Sequence, residues 1–248
     1  TKLIQFINHN IKEYEFELKW GEQTTTDDSE GIVIATSSKM PSLIEIKKKL
    51  NYFQGEVLQV PPRASAVKVN GQRAYKLLRE KKEFNLKEKK VTIYSIKIIN
   101  ENKSNLNTKF YIKCGKGFYI RSFARDIAEK LKTKGHINSL IRKKVGKFDI
   151  NNANLLDDLL KIGQRLFEFK GFHTSVSMLD DILAYEIEDE KNKQSISQGK
   201  TIKINLKKLS IPPLNLSDRK IIFLTEKGSV VSFGRLNGDL FKPEKVLI

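Results

Sequence analysis

A chain of 248 residues, 39% apolar and 30% charged, has the length for a large core and a composition that excludes a disordered polymer. Its net charge of +17 and pI near 9.7 point to a polyanionic partner such as RNA, with part of the lysine excess traceable to biased base composition, since Ile and Asn are abundant too. One cysteine excludes an internal disulfide framework, the three scattered histidines make no metal motif, and no apolar run approaches the roughly 20 residues that span a bilayer. With no apolar signal core at the start, a cytoplasmic monomer without metal or membrane contact is expected.

In chain order, Leu3, Phe6 and Ile7 suggest a short helical piece. Tyr14, Phe16, Leu18 and Trp20 then alternate with Glu13, Glu15, Glu17 and Lys19, the period-two pattern of a half-buried strand that ends at Gly21. Residues 21–31 read as a polar loop. Asp27, Asp28 and Glu30 in it lack calcium-loop spacing and are taken as turn formers. A short strand is predicted from Ile32 to Ala35. Ser42 and Glu45 form a capping box before a helix whose apolar face is Leu43, Ile46, Leu50 and Phe53, ending near Gly55. Pro61-Pro62 forbids ladder bonding, Ala66, Val67 and Val69 begin an extended piece, and Asn70-Gly71 is a hairpin turn. Tyr75 opens a basic helical segment with Leu77, Leu78 and Arg79. Strands return at Val91 to Ile99, followed by a polar loop to Thr108.

The stretch CGKGFYIRSFARDIA, residues 114–128, organises the rest. Phe110, Ile112 and Cys114 alternate as a strand, with Cys114 a small buried hydrophobe. Ile120, Ala124, Ile127, Ala128 and Leu131 recur at helical spacing, and Gly135 is the expected stop. The turn Gly115-Lys116-Gly117 between them lifts Tyr119 and Arg121 into one small region, an aromatic face beside a fixed cation. Two readings stay open here: a base-stacking, anion-holding pair, or a structural tyrosine and a salt-bridged arginine. Residues 136–148 predict a short helix and then a strand carrying Arg142, Lys143, Lys144 and Lys147, either a plain basic surface or part of an electropositive face with Lys116, Arg121 and Arg125. Leu155, Leu156, Leu159 and Leu160 mark a helix read as packing only. After Leu179-Asp180-Asp181 short strands and turns, with Pro212-Pro213 among them, suggest a small β module. The fold class is α+β: a largely antiparallel mixed sheet flanked by helices over residues 1–178, and a small β module over residues 179–248.

QVPPRASAVKVNGQRAY (residues 59–75) and CGKGFYIRSFARD (114–126) resemble signatures of the TruB-type tRNA pseudouridine synthases. KEYEFELKWGEQTTTDDSEG (12–31), LNYFQGEVLQ (50–59), LIRKKVGKF (140–148) and the tail GRLNGDLFKPEKV (234–246) are similar to the family in the same order. The resemblance implies isomerisation of a TΨC-loop uridine of tRNA, pseudouridine-55 synthesis, without cofactor or metal. It implies that Tyr75 stacks on the flipped base and that Tyr119 lies beneath it and takes the C5 proton. Arg121 would pair with the catalytic aspartate, Leu140 wall the pocket, Lys68 anchor residues 65–68, and Lys116 and Arg142 help hold tRNA phosphates. The family's nucleophilic aspartate sits in a GTLDPxAxG-type segment that this sequence does not contain, so these 248 residues are expected to be an N-terminally incomplete, inactive part of the enzyme. The alternative is a catalytically inactive protein that binds or folds tRNA. Thr25 stands where the family usually has Asp, and Ile141 where Arg is usual.

Overall fold

The structure, a computed structural model, describes residues 11–100, 106–161, 176, 182–210 and 221–247. The readings at Leu3 to Ile7, at 179–181 and at Pro212-Pro213 lie outside them. The described residues fall into two compact units, one within His9–Ala153 and the other within Asn154–Ile248. The sequence boundary at residue 178 also falls outside the described residues.

The first unit runs β1 (Lys12–Trp20), β2 (Glu22–Thr24), β3 (Val33–Thr36), α1 (Leu43–Leu50), β4 (Gly55–Gln59), β5 (Lys68–Val69), β6 (Gln72–Arg73), α2 (Ala74–Arg79), β7 (Lys89–Asn100), β8 (Asn107–Cys114), α3 (Ile120–Lys130), β9 (Gly135–Val145) and β10 (Phe148–Asp149). Six of these strands form an antiparallel sheet in the order β10-β9-β1-β8-β7-β4. β1 and β8 alternate as expected, and their inward residues Phe16 and Phe110 stack at 5.1 Å between ring centroids. Phe123 of α3 meets both edge-on, at 5.8 and 6.1 Å, so α3 covers this face of the sheet. Trp20 is buried among these groups, and its indole N–H donates to Thr108 Oγ1 at 2.9 Å, which removes the cost of burying that donor. Cys114 is buried, and burial pushes its thiol up to about 12.

Local signals hold in several places. Ser42 caps α1, its hydroxyl accepting from the Glu45 N–H at 3.3 Å while its own N–H donates to Glu45 Oε2 at 2.8 Å. Asn70 and Gly71 both have positive φ between β5 and β6, the geometry of a tight hairpin turn. In the 115–117 turn only Gly117 is left-handed, at φ 84°, with open space where a side chain would stand.

Elsewhere tertiary pairing overrides the local reading. Residues 136–148 contain no helix. β9 is continuous from Gly135 and pairs with β1 along its length, with two register shifts that absorb its broken alternation. The 21–31 loop contains β2, which pairs with β3. α3 stops at Lys130 rather than near Gly135, because Lys132 takes the left-handed position at φ 57°.

The second unit contains α4 (Leu156–Lys161), β11 (Leu183–Glu186), α5 (Glu190–Ser197), β12 (Ile202–Lys203), β13 (Ile221–Glu226), β14 (Ser229–Asn237) and β15 (Leu240–Val246). Its five-stranded sheet, β11-β13-β14-β15-β12, is antiparallel except for the β11–β13 pair, and it buries Ile222, Leu224, Val231 and Phe241. The reading of the α4 leucines as packing fails. Leu155, Leu156 and Leu160 are all exposed. No described helix is long and apolar enough to cross a membrane.

Candidate active site

α3 begins at Tyr119, whose extended backbone is pinned on both sides by one side chain. The Tyr119 N–H donates to Gln59 Oε1 at 2.9 Å, and Gln59 Nε2 donates to the Tyr119 carbonyl at 3.1 Å. Gln59 is buried, so both hydrogen bonds are partly shielded from water, which strengthens them. The sequence reading gave Gln59 no role. An amide at the start of a double-proline segment carries no periodic signal.

Two residues on, Arg121 reaches across to two other parts of the chain. Its Nη1 donates to the Thr26 carbonyl at 3.2 Å and to Asp28 Oδ2 at 3.1 Å, and its Nη2 donates to the Ala64 carbonyl at 3.0 Å. The carboxylate that Arg121 holds in this chain is therefore Asp28, one of the residues taken as a turn former. Asp28 is that as well: its Oδ1 accepts from Thr26 Oγ1 and from the Glu30 N–H. A metal loop is not built here, and no cluster of potential metal ligands occurs among the described residues.

One helical turn further, Arg125 repeats the arrangement at greater depth. Nη1 pairs with Asp27 Oδ2 at 3.3 Å, Nη2 donates to the Val60 carbonyl at 2.8 Å, and Nε donates to Asp126 Oδ1 at 3.0 Å. Burial raises the Asp27 carboxyl above its ordinary value, with Arg125 and then Arg121 opposing. Asp126 is raised too, again by burial first and against Arg125.

The remaining predicted residues fall into two groups. Tyr75 is the second residue of α2, and its N–H donates to the Ser65 carbonyl at 3.0 Å, next to the Ala64 carbonyl that binds Arg121. Its ring lies under the Arg79 guanidinium, 5.6 Å from the centroid. Ser65 is buried, and its hydroxyl has no partner among the described residues. Lys68 stands on the exposed β5–β6 hairpin opposite Arg73, and Lys116 is exposed at the turn before Tyr119. Leu140 and Arg142 belong to β9, opposite Phe16 and Tyr14 of β1. Because Phe16 faces α3, these two residues and Tyr14 share that side of the sheet, and Leu140 keeps 45% of its surface exposed.

Tyr14 is the aromatic that the sequence reading passed over as one more inward position of β1. Phe16, Leu18 and Trp20 are fully buried, whereas Tyr14 is half-buried beside Arg142. Burial raises its phenol pKa, the Cys114 thiol adds to the rise, and Arg142 opposes it. The signal that would have found it is position: it is the first aromatic of an otherwise buried row.

Comparison with known proteins bears on the family and the fold. The profile of the family described as "TruB family pseudouridylate synthase (N terminal domain)" matches residues 1–120. The tRNA pseudouridine synthase B of Rickettsia akari (strain Hartford) is 36% identical over 246 residues, which is 99% of this chain and 80% of that protein. The protein of the same name from Rickettsia bellii (strain OSU 85-389) is 35% identical over the same span. Among solved structures, a chain of a Cbf5-Nop10-Gar1 complex superposes on all of this chain and 70% of its own with a TM-score of 0.67 at 17% identity, a shared fold.

Proposed function

The chain belongs to the TruB family of tRNA pseudouridine synthases, and from that membership we propose that it acts on the TΨC-loop uridine of tRNA, uridine-55. The isomerisation breaks the bond from C1′ to N1 and forms one from C1′ to C5. N1 gains a proton and C5 loses one, so the atoms balance without a co-reactant. The uridine must leave its stack, at a cost of a few kcal/mol, and be received on aromatic surface. Tyr119 lies beneath it and takes the C5 proton. Tyr75, by family resemblance, or Tyr14, by its place beside Leu140 and Arg142, stacks on it. Leu140 walls the pocket, Lys68 anchors residues 65–68, and Lys116 and Arg142 take phosphates.

The observation that carries this reading is the state of Arg121. Thr26, Asp28 and Ala64 fix its guanidinium through three of its five N–H groups, and among the described residues Nε and one Nη2 hydrogen remain unengaged. An Nε–H and an Nη2–H are together the donors that a carboxylate fork takes. In this reading the nucleophilic aspartate comes from a segment outside these 248 residues, and Arg121 orients it and keeps it ionised. A second reading follows from the Arg121–Asp28 contact: Asp28 is itself the reactive carboxylate.

Incubation with a TΨC stem-loop carrying C5-tritiated uridine separates the two. The 248-residue chain is expected to bind the stem-loop and release no tritium. Release that Asp28→Asn abolishes would make Asp28 the nucleophile. In a chain that carries a family-type aspartate segment, Tyr119→Phe should abolish product and leave RNA binding nearly unchanged, and the opposite pattern would remove Tyr119 from the chemistry.

A further inference from the structure

Arg125 spends its donors on the same two chain segments as Arg121, the 24–31 loop and the segment that follows Gln59. Among the described residues its one other partner is its neighbour Asp126. The two arginines are i and i+4 on α3, so they stand on one face about 6 Å apart along the axis. Their partners, Asp27 and Asp28, are adjacent in sequence. Adjacent side chains meet both arginines because Asp27 is left-handed, at φ 60°. A non-glycine residue held there stores strain, and here Asp27 is over-determined: its N–H donates to the Thr24 carbonyl, its carbonyl accepts from the Ile137 N–H, and its carboxylate pairs with Arg125.

The inner pair is also the drier one. Side-chain exposure is 23% and 9% for Arg125 and Asp27, against 26% and 22% for Arg121 and Asp28. A buried ion pair adds little net stability over apolar packing of the same volume, so orientation is the effect left to account for it.

We propose that Arg125 and Asp27 are positioning residues that lock the loop and the segment flanking Arg121, so that its guanidinium presents one fixed edge. This rests on Arg121 being the cation that aims the reactive carboxylate, but it concerns Arg121's orientation, which is measurable without substrate. Removing the inner pair leaves the Thr26 and Ala64 carbonyls free to drift, and Arg121 then loses its frame while its own side chain is intact.

The test is the Nη–H resonances of Arg121, whose hydrogens bind Thr26, Asp28 and Ala64, in nitrogen-edited NMR of the 248-residue chain. In the native protein they should be resolved and slow to exchange with solvent. Asp27→Asn and Arg125→Ala should each speed that exchange about tenfold, the factor expected from losing one charge-assisted hydrogen bond of the frame. Arg125→Lys keeps the charge on a single donor centre and should recover part of the effect. The Phe123 and Ile127 signals report whether the α3 core is intact in each variant. An unchanged Arg121 resonance in folded Asp27→Asn and Arg125→Ala would overturn the proposal. So would loss of fold in every variant, since the pair would then hold the core rather than aim Arg121. Catalytic failure of Arg121 variants would bear on the reading of Arg121 and leave this measurement standing.

Discussion

At the scale of single residues, the loop that holds Arg121 is built on a close approach that no charge pattern reveals. Gly31 has an ordinary φ, yet a Cβ built on it would lie 2.8 Å from the Thr26 nitrogen and 2.4 Å from Thr26 Oγ1. The backbone nitrogen cannot step aside as a flexible side-chain tip can. Thr26 is also the residue whose carbonyl receives Arg121 and whose hydroxyl donates to Asp28. Gly31→Ala therefore costs about 1–3 kcal/mol, the usual penalty of overpacking a fitted site. A urea titration of the variant reads this as a lowered midpoint with an unchanged slope, and an unshifted midpoint would show that the loop has room to give. Sequence reasoning saw residues 21–31 as a polar loop closed by glycines. It had no means of seeing that Asp28 faces Arg121, because ninety-three positions separate them and the contact exists only after β1, β8 and α3 have packed.

At the scale of elements, two helices end without the residue that makes helix ends readable. In α3 the Thr133 N–H returns to the Ala128 carbonyl and the Lys132 N–H to the Glu129 carbonyl, with Lys132 left-handed. α2 ends the same way at Lys81, where the Lys82 N–H bonds the Leu77 carbonyl. These are the paired closing bonds normally made around a glycine, and α5 makes them around Gly199. Looking for glycine moved the expected end of α3 to Gly135, which starts β9 instead. The starts were legible where a side chain does the capping, as at Ser42, and the strands β1 and β8 were legible because each buries one face. β9 was not: three buried residues are followed by five exposed ones, so its residues do not alternate between core and solvent. The lysine at the α3 end makes a prediction. Lys132→Gly relieves the left-handed cost of about 1–2 kcal/mol and adds glycine's extra unfolded-state entropy, for a net gain of about 0.5–1 kcal/mol. A raised melting temperature in calorimetry checks it, and a lower one would mean that the Lys132 side chain makes contacts worth more than the strain.

At the scale of the whole molecule, charge has to be weighed against its two sources. A net +17 produced by base composition alone would be spread without regard to the site and would bind any polyanion weakly. A functional face concentrates phosphate contacts instead, and the exposed cations near the candidate site include Lys68, Lys116 and Arg142. Each phosphate neutralised releases condensed counterions, so the logarithm of the association constant falls linearly with the logarithm of salt. Four to six such contacts give a slope of about −3 to −5 for a TΨC stem-loop, between the single-strand and duplex coefficients. Lys116→Ala and Arg142→Ala should each weaken binding by a similar factor whatever the loop sequence, and each should make the slope shallower by about 1. Tyr119→Phe should leave the slope alone, because a phenol displaces no counterion. Fluorescence anisotropy of the labelled stem-loop between low and physiological salt measures all of these. If neutralising Lys116 and Arg142 leaves the slope unchanged while distant lysines alter it, the positive charge is diffuse and the RNA does not lie across the face that carries Tyr119, Leu140 and Arg142.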